Sequence, residues 1–405
     1  MHKISRIIGR QILDSRGNPT IEVDLYLDTG AWGRASVPSG ASLGLMEAIE
    51  KRDGDLTCFR GKSVNRIVNS VNTYLADSLS NRIFDTQEAL DHFLIALDGT
   101  KNKSNLGANT TLAISLAFAK AIQPKLFLGI LGNNIIRKMP VPMLNFINGG
   151  EHAQNELDIQ EFMILPTFQG TFMDKMEVAH QIFYKLRDLL SKNGYSTALG
   201  DEGGFAPTLR NTKEALDFLS ESAIEFQGKV YFALDCAANS FFKEDHYLFE
   251  NKKLSTQEML SYYTKLVNDY PIISMEDPFS ERDLDGWVEA TKLLGKKILL
   301  VGDDIFVTNK ELFDKYSKMN IANSILIKMN QVGTLTETIE TAEAAKASGY
   351  KIIASHRSGE TEDVSLSHLA IGLEADYIKA GSICRTERVC KYNELIRIES
   401  EHLIY

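Results

Sequence analysis

The chain has 405 residues, of which 44% are hydrophobic and 24% are charged, and this composition excludes a disordered protein. Its length exceeds one ordinary compact core, so we expect either two domains or one large α/β barrel with an appended piece. The formal net charge of −10 argues against nucleic acid and anionic membranes as partners, because an acidic protein does not attract either. A small anionic substrate would instead require locally concentrated cations or a metal.

The four cysteines show neither the CxxC spacing of a metal site nor the density of a disulfide framework. We therefore expect a reducing, cytoplasmic location. Residues 1–17 contain no apolar core of signal-peptide length, and Lys120 and Lys125 interrupt the most apolar stretch, residues 113–132. No membrane-spanning segment is predicted.

The first third of the chain has the patterns of a small α+β domain. Alternating apolar residues at 21–27 predict a half-buried antiparallel strand. Helical periodicity follows at 63–79 and at 110–122. We therefore predict an amino-terminal α+β cap domain.

From Met139 onward, apolar strand patterns alternate with helical patterns. This alternation indicates βα units and a parallel sheet. We place the boundary within residues 131–140, so the cap domain would span residues 1–133 and a βα barrel would span residues 138–405.

Six apolar runs in the second part each end at an ionisable residue. These residues are Asp235, Glu276, Asp303, Lys328, His356 and Lys379, and successive ones are 23 to 41 residues apart. Such spacing fits one βα unit apiece, and in a closed barrel the carboxyl ends of the strands converge on one mouth. One charged strand end would be an ordinary solvated residue, but three acids followed by three bases indicate a site for a metal and an anion together.

The three acids, Asp235, Glu276 and Asp303, offer carboxylate oxygens suited to octahedral Mg²⁺. Zinc is disfavoured because the sequence contains no HExxH pair and its cysteines are not spaced as ligands. As an alternative, the segments SMEDP and GDDIF would only cap the helices that follow them, and Asp277 and Asp304 could be the capping residues.

Lys328 would lie across the mouth from the acids. We expect metal charge and desolvation to lower its pKa so that it acts as a base, and a plain ion pair with a carboxylate is the alternative. The GDEGGFAP segment places Asp201 and Glu202 on a tight turn, with Glu161 beside it. Two close carboxylates can share a proton and donate it to a leaving group, whereas an ordinary surface turn is the alternative.

Two further segments have the composition of ligand-binding loops. SHRSGETED, residues 355–363, gives Arg357 a hydroxyl on each side and backbone amides around Gly359, which suits a phosphate. PSGASLG, residues 38–44, is small and glycine-rich, so it would fold over the mouth as a lid or serve only as a linker.

The chain resembles the enolases from DSRGNPT, residues 14–20, to KYNELIRIE, residues 391–399. The shared motifs occur in order: MPVPMLNFINGGEHA, QEFMILP, GDEGGFAP, LDCAA, MEDPF, GDDIFVTN, ILIKMNQVGTLTET and SHRSGETED. The resemblance implies the reversible dehydration of 2-phosphoglycerate to phosphoenolpyruvate in glycolysis and gluconeogenesis. It also implies an enolase-type βα barrel with an irregular start of two strands and two helices.

The resemblance implies roles for three catalytic residues. Lys328 would take the C2 proton, and Glu202, assisted by Glu161, would deliver a proton to the departing C3 hydroxyl. Two Mg²⁺ ions would bind per active site, the second arriving with substrate. The implied metal ligands are Asp235, Glu276, Asp303 and Ser42.

The resemblance further implies a set of substrate-binding residues. Arg357 and Ser358 would hold the phosphate, and Lys379 would neutralise the substrate carboxylate together with the first metal ion. The other implied pocket residues are His152, Gln160, Glu161 and His356. A homodimer or higher homo-oligomer is expected, in the cytoplasm, with a secondary cell-surface or secreted pool by resemblance alone.

Several residues depart from the usual enolase pattern. Leu43 stands where threonine is usual, Asn239 and Ser240 replace serine and glutamate, and Ala380 replaces threonine. Two alternatives stay open beside the enolase reading. The first is another acid-sugar or amino-acid enzyme of the same superfamily, in which the GDEGGFAP and SHRSG motifs, intact here, would be altered. The second is a non-catalytic binding protein, which would not need the complete set of metal ligands and catalytic base that this sequence contains.

Overall fold

The computed structural model describes residues 1–40, 44, 46–132, 136–153 and 155–402. Its amino-terminal part is an antiparallel sheet with strand order β3-β2-β1-β4, covered by helices. The strands are β1 His2–Leu13, β2 Pro19–Leu27, β3 Trp32–Ser36 and β4 Ile83–Phe84. The helices are α1 Asn65–Ser70, α2 Ala76–Leu79, α3 Gln87–Asp98, α4 Ala108–Ile122 and α5 Leu126–Leu131, with a π turn, Val71–Leu75, between α1 and α2. The predicted α+β cap is confirmed.

Strand β2 is buried on both faces, which corrects the expectation of a half-buried strand. Its polar residue Asp24 is covered by two arginines, with Arg10 Nη2 and Arg34 Nε each 2.6 Å from a carboxylate oxygen. Burial would raise the pKa of Asp24, but the hydrogen bonds and charges of Arg34 and Arg10 outweigh it and lower the pKa to about 2. The alternating sequence pattern therefore separated the polar face of β2 from its apolar face. The polar face is covered by the ion pairs of Asp24 with Arg10 and Arg34.

The barrel begins irregularly, as the resemblance implied. Strands β5 and β6 pair antiparallel, β6 pairs antiparallel with β7, and two helices lie between β6 and β7 in the chain. These elements are β5 Val141–Asn148, β6 Glu161–Pro166, α6 Phe172–Lys192, α7 Thr212–Ser222 and β7 Val230–Asp235. Helix α6 starts at a capping box in which Thr171 and Asp174 satisfy each other's backbone amides.

A small antiparallel sheet follows β7, and it accounts for the longest interval between strand ends. Its strands are β8 Phe242–Lys243, β9 His246–Phe249 and β10 Lys252–Leu254, before helix α8 Thr256–Asp269. Regular βα units complete the barrel: β11 Ile272–Glu276, α9 Leu284–Leu294, β12 Leu299–Gly302, α10 Lys310–Ser317, β13 Ser324–Ile327, α11 Leu335–Ala347, β14 Lys351–Ser355, α12 Ser365–Gly372, β15 Tyr377–Lys379 and α13 Thr386–His402. Short 3₁₀ turns occur at Phe59–Gly61, Gly150–His152, Ile224–Phe226, Ala238–Phe241 and Met329–Gln331.

Eight strands close the barrel, and β15 pairs parallel with β5 across the seam, where Tyr377 aligns with Val141. Apolar side chains fill the interior. They are Met143, Met163, Leu165, Ala233, Val301, Leu326 and Ile353. The barrel is thus a packed core whose chemistry is confined to its end.

The cap docks on the amino-terminal end of helix α11. Asp91 accepts a hydrogen bond of 2.9 Å from the backbone nitrogen of Thr336, and Lys103 pairs with Glu337 at 2.6 Å. The domain boundary predicted between residues 133 and 138 falls between α5 and β5 and stays a prediction. Among the described helices, none has the length and apolar character needed to cross a membrane.

Candidate active site

The carboxyl ends of the barrel strands surround one polar cavity that brings most of the predicted site residues together. Its lining includes His152, Gln160, Glu161, Glu202, Asp235, Asp303, Lys328, His356, Arg357, Ser358 and Lys379, with Glu47 from the cap. Glu276 lies buried beside this cavity. Ser42 and Leu43 fall outside the described residues. The predicted convergence of strand ends is therefore present in the structure, while the role of each residue stays a prediction.

Lys379 is the hub of the acidic side of the cavity. Its buried ammonium lies 2.7 Å from Asp235 Oδ2, 2.8 Å from Glu276 Oε2 and 3.2 Å from Glu161 Oε1. Burial opposes this charge, but the three carboxylates raise the pKa of Lys379 well above its usual value. Burial and the charge of Asp235 raise the pKa of Glu276 to about 8. Three carboxyl groups therefore surround one ammonium on this side of the cavity.

The donor set of Asp235, Glu276 and Asp303 fits a hard divalent cation. The Lys379 ammonium already shows that oxygens of Asp235 and Glu276 converge on one positive charge. All three donors are carboxylates on neighbouring strands, and such oxygens are the ligands that Mg²⁺ takes in proteins. Asp303, just after β12, instead pairs with Lys328, and its oxygens group with those of Asp277 and Asp304, all within 4.8 Å of one another. The assignment of Asp235, Glu276 and Asp303 to one metal ion therefore stays a prediction.

Asp277 and Asp304 do not cap the helices that follow them. Helix α9 is capped by Asp283 and helix α10 by Asn309, so the capping alternative is wrong. Asp277 instead accepts hydrogen bonds of 2.9 Å from the backbone nitrogens of residues 303 and 304. It therefore holds the end of strand β12 in place beside that of β11.

Lys328 forms a partly buried ion pair with Asp303. Burial would lower the pKa of Lys328, but the charge of Asp303 outweighs burial and the repulsion of Arg357, so the pKa is raised. This direction holds for the site without a metal ion, whereas the predicted lowering depends on metal charge beside Lys328 and stays a prediction. The structure shows the ion pair that was the alternative interpretation, and the role of base stays a prediction.

Glu161 and Glu202 both approach one nitrogen of His152, whose Nδ1 is 3.5 Å from a Glu161 oxygen and 3.6 Å from a Glu202 oxygen. Burial and the charge of Glu202 raise the pKa of Glu161 well above its usual value. Burial has the same tendency on Glu202, but His152, His356 and Arg388 lower the pKa of that carboxyl well below its usual value. The pair can therefore share one proton, and the directions of the two pKa shifts favour Glu161 as the protonated partner.

The GDEGG turn is buried from Glu202 to Gly204, which excludes an ordinary surface turn, whereas the Asp201 side chain is 47% exposed and pairs with Arg16 at 3.4 Å. Gly203 has φ +86°, and a Cβ on Gly204 would lie 2.2 Å from Asn148 Oδ1. Only glycine fits both positions without strain. The close approach lets Asn145 Nδ2 donate to Glu202 Oε2 at 3.2 Å, which orients the carboxylate toward the cavity.

The SHRSG segment also lines the cavity, through residues 355–358. The buried hydroxyl of Ser358 has no hydrogen-bond partner within the part of the chain that the structure describes, so it is a donor available to a ligand. Gly359 pairs with Ser39 of the cap through two backbone hydrogen bonds of 2.8 and 2.9 Å. The start of the predicted lid is therefore attached to this segment, and residues 41–43 of the lid lie outside the described chain.

Sequence reasoning missed two buried residues of this site, Glu47 and Arg388. The Arg388 guanidinium is fully buried and contacts His356 Nδ1 at 2.6 Å and the carbonyl oxygens of Arg357 and Ser358 at 2.7 and 2.6 Å. It thereby fixes the loop after β14. The helical spacing of the sequence could have identified Arg388 as buried, because it lies on the same face of α13 as Tyr392 and Leu395.

The departures from the usual pattern lie at the rim or behind the site. Asn239 donates to Asp304 Oδ2 at 2.8 Å and accepts from Ser280 Oγ at 2.7 Å. Ser240 bonds the carbonyl of residue 237 within its own turn, and Ala380 is fully buried. None of these contacts removes a predicted catalytic group.

Comparison with known proteins agrees with this geometry. The family profile "Enolase, N-terminal domain" matches residues 4–126, and "Enolase, C-terminal TIM barrel domain" matches residues 136–403. The "Enolase" of Anaplasma marginale (strain St. Maries) is 50% identical over 407 residues, which cover 98% of this chain and 94% of that relative. The predicted fold and hydro-lyase activity are confirmed. The chain belongs to the enolase family, magnesium-dependent hydro-lyases that interconvert 2-phosphoglycerate and phosphoenolpyruvate.

Proposed function

We propose that the cavity at the barrel mouth carries out this dehydration with Lys328 as base and Glu202 as acid. The observation that supports the proposal is that both groups line the same cavity as Arg357 and Ser358. A substrate bound there by its phosphate would place its reacting carbons between the two proton-transfer groups.

The chemistry requires removal of a weakly acidic proton. Lys328 Nζ would take the C2 proton, and the electron pair would pass into the substrate carboxylate. The C2–C3 double bond would then form as the C3–oxygen bond breaks, and Glu202 would protonate the departing hydroxyl, which leaves as water. Glu161, whose pKa is raised, would supply the proton that Glu202 passes to the hydroxyl. Lys379 would stabilise the carboxylate as it gains charge.

We propose that Asp235, Glu276 and Asp303 hold one Mg²⁺ and that Ser42 contributes to a second site, filled when substrate binds. When bound, Mg²⁺ supplies positive charge beside the substrate carboxylate, which becomes doubly negative once the C2 proton is removed. His152, Gln160 and His356 would complete the pocket around the substrate. The convergence of Asp235 and Glu276 on the Lys379 ammonium supports the first site.

We infer the remaining properties from the family. The chain would act on a small molecule in the cytoplasm as a homodimer or higher homo-oligomer, with a possible second pool at the cell surface or outside it. Residues 1–133 and 138–405 would form its two domains. Family membership supports these inferences, and size-exclusion chromatography with light scattering tests the oligomeric state.

The decisive assay mixes purified protein with 2-phosphoglycerate and Mg²⁺ and follows the absorbance of the enol phosphate. We expect turnover that EDTA abolishes and that Lys328→Ala reduces by about 10²- to 10⁴-fold, the usual contribution of a general base. Lys318→Ala changes an exposed lysine after helix α10 and should leave the rate unchanged. Absence of turnover at generous protein concentration would reject the proposal in favour of a non-catalytic binding protein.

A further inference from the structure

Arg357 is held by a carboxylate from the other domain. Its Nη1 lies 2.9 Å from Glu47 Oε2 and its Nη2 lies 3.3 Å from Glu47 Oε1, and both side chains are about 95% buried. Nη1 also donates to Asn330 Oδ1 at 3.2 Å. A two-point contact of this kind sets the plane of the guanidinium as well as its position.

Glu47 has two further contacts that extend beyond Arg357. Its Oε1 accepts from the backbone nitrogen of Gly44 at 3.0 Å and from Gln331 Nε2 at 3.4 Å. The same Gln331 nitrogen donates to Asp303 Oδ1 at 3.0 Å. One cap carboxylate therefore connects the proposed phosphate-binding guanidinium to a proposed metal ligand.

We propose that Glu47 is a positioning residue that orients Arg357 for the substrate phosphate and, through Gln331, keeps the phosphate subsite aligned with Asp303. This inference rests on the proposed function of the cavity. An arginine side chain loses considerable rotamer freedom when it binds, so prior orientation improves affinity for the phosphate.

The proposal depends on charge and not only on shape. A glutamine at position 47 would fill the same space, but its amide nitrogen would face donors of Arg357, Gly44 or Gln331. The two-point contact would be lost, and Glu47 would no longer fix the plane of the Arg357 guanidinium. Affinity for phosphate should then fall while the proton-transfer groups stay in place.

The test compares Glu47→Gln with Glu337→Gln, which removes a carboxylate from a cap–barrel ion pair that does not line the cavity. We expect Glu47→Gln to raise the KM for 2-phosphoglycerate by about 10- to 100-fold with a smaller change in kcat, as loss of charge-assisted hydrogen bonds predicts. Calorimetric affinity for inorganic phosphate should fall by the same factor. Glu337→Gln should change neither quantity.

Arg357→Lys, which leaves Glu47 unchanged, keeps the proposal testable if Glu47→Gln folds poorly, and a double-mutant cycle of the two changes measures their coupling when it folds. Lysine retains the charge but cannot make the two-point contact, so Arg357→Lys alone should lose phosphate affinity. Adding Glu47→Gln to Arg357→Lys should then cost little more. Fully additive losses would overturn the proposal, as would unchanged phosphate affinity in Glu47→Gln. If the unmodified chain does not turn over 2-phosphoglycerate, the proposed function fails, and the inorganic phosphate comparison still decides the role of Glu47.

Discussion

Replacement of Lys379 by methionine should strongly destabilise the protein in the absence of metal. The Lys379 ammonium is the shared partner of three buried carboxylates, on Asp235, Glu276 and Glu161. Removing one member of a buried ion pair costs about 3–5 kcal/mol, because the charge left behind has no compensation. Burial and neighbouring charges already raise the pKa of Glu161 and bring that of Glu276 to about 8, so protonation would relieve part of the cost and we expect a loss of about 3 kcal/mol.

Urea unfolding in EDTA, followed by the fluorescence of the fully buried Trp287, measures this loss. Mg²⁺ at about 100 times its Kd should restore about 2.7 kcal/mol, because only the folded state assembles the carboxylates. Lys318→Met, at an exposed lysine, serves as the matched control and should unfold with the parent chain. A Lys379→Met protein that unfolds at the same urea concentration as the parent chain in EDTA would refute this account of the acidic cluster.

Two further predictions concern the turn at Gly204 and the dependence of the free energy of unfolding on pH under acidic conditions. Gly204→Ala would put a methyl group 2.2 Å from Asn148 Oδ1, so we expect a loss of about 1–3 kcal/mol and a lower kcat, whereas Gly129→Ala, with its nearest atom at 3.6 Å, should cost nothing. Equal urea midpoints for the two variants would contradict this reasoning. The folded pKa of Asp24 is about 2, so its charge stabilises the protein above the ordinary carboxyl pKa, and this contribution is lost as pH falls from about 4 toward 2. Asp24→Asn should therefore lower stability at neutral pH and flatten the dependence of the urea midpoint on pH in that window; an unchanged dependence would argue against it.

The strand ends of the barrel could be predicted because each βα unit repeats the same local pattern. Asp235 and Glu276 are the last residues of β7 and β11, and Lys328 follows the last residue of β13. An apolar run that stops at a polar residue can be recognised locally in the sequence. Because the strands are parallel, the residues at their carboxyl ends all lie at the same end of the barrel. The convergence of these residues needed no knowledge of side-chain contacts.

Contacts between distant segments could not be predicted in the same way. Glu47 and Arg357 are 310 residues apart, and no local pattern encodes their pairing. The sequence also left open whether Lys328 pairs with a carboxylate, because it does not show which carboxylate lies nearest to the ammonium. For strand β2, the alternation of residues showed which side chains share a face, but not that arginines would cover the polar face.

Strand β15 has a consequence for how the protein reaches its active form. This strand has only three residues, yet it fills the gap between β14 and β5 and ends at Lys379. Until it inserts, two strand edges have unpaired backbone groups that can recruit other chains. We therefore expect aggregation during refolding to compete with the step that delivers the Lys379 ammonium to its carboxylates, so that recovered activity and recovered monodispersity should rise together.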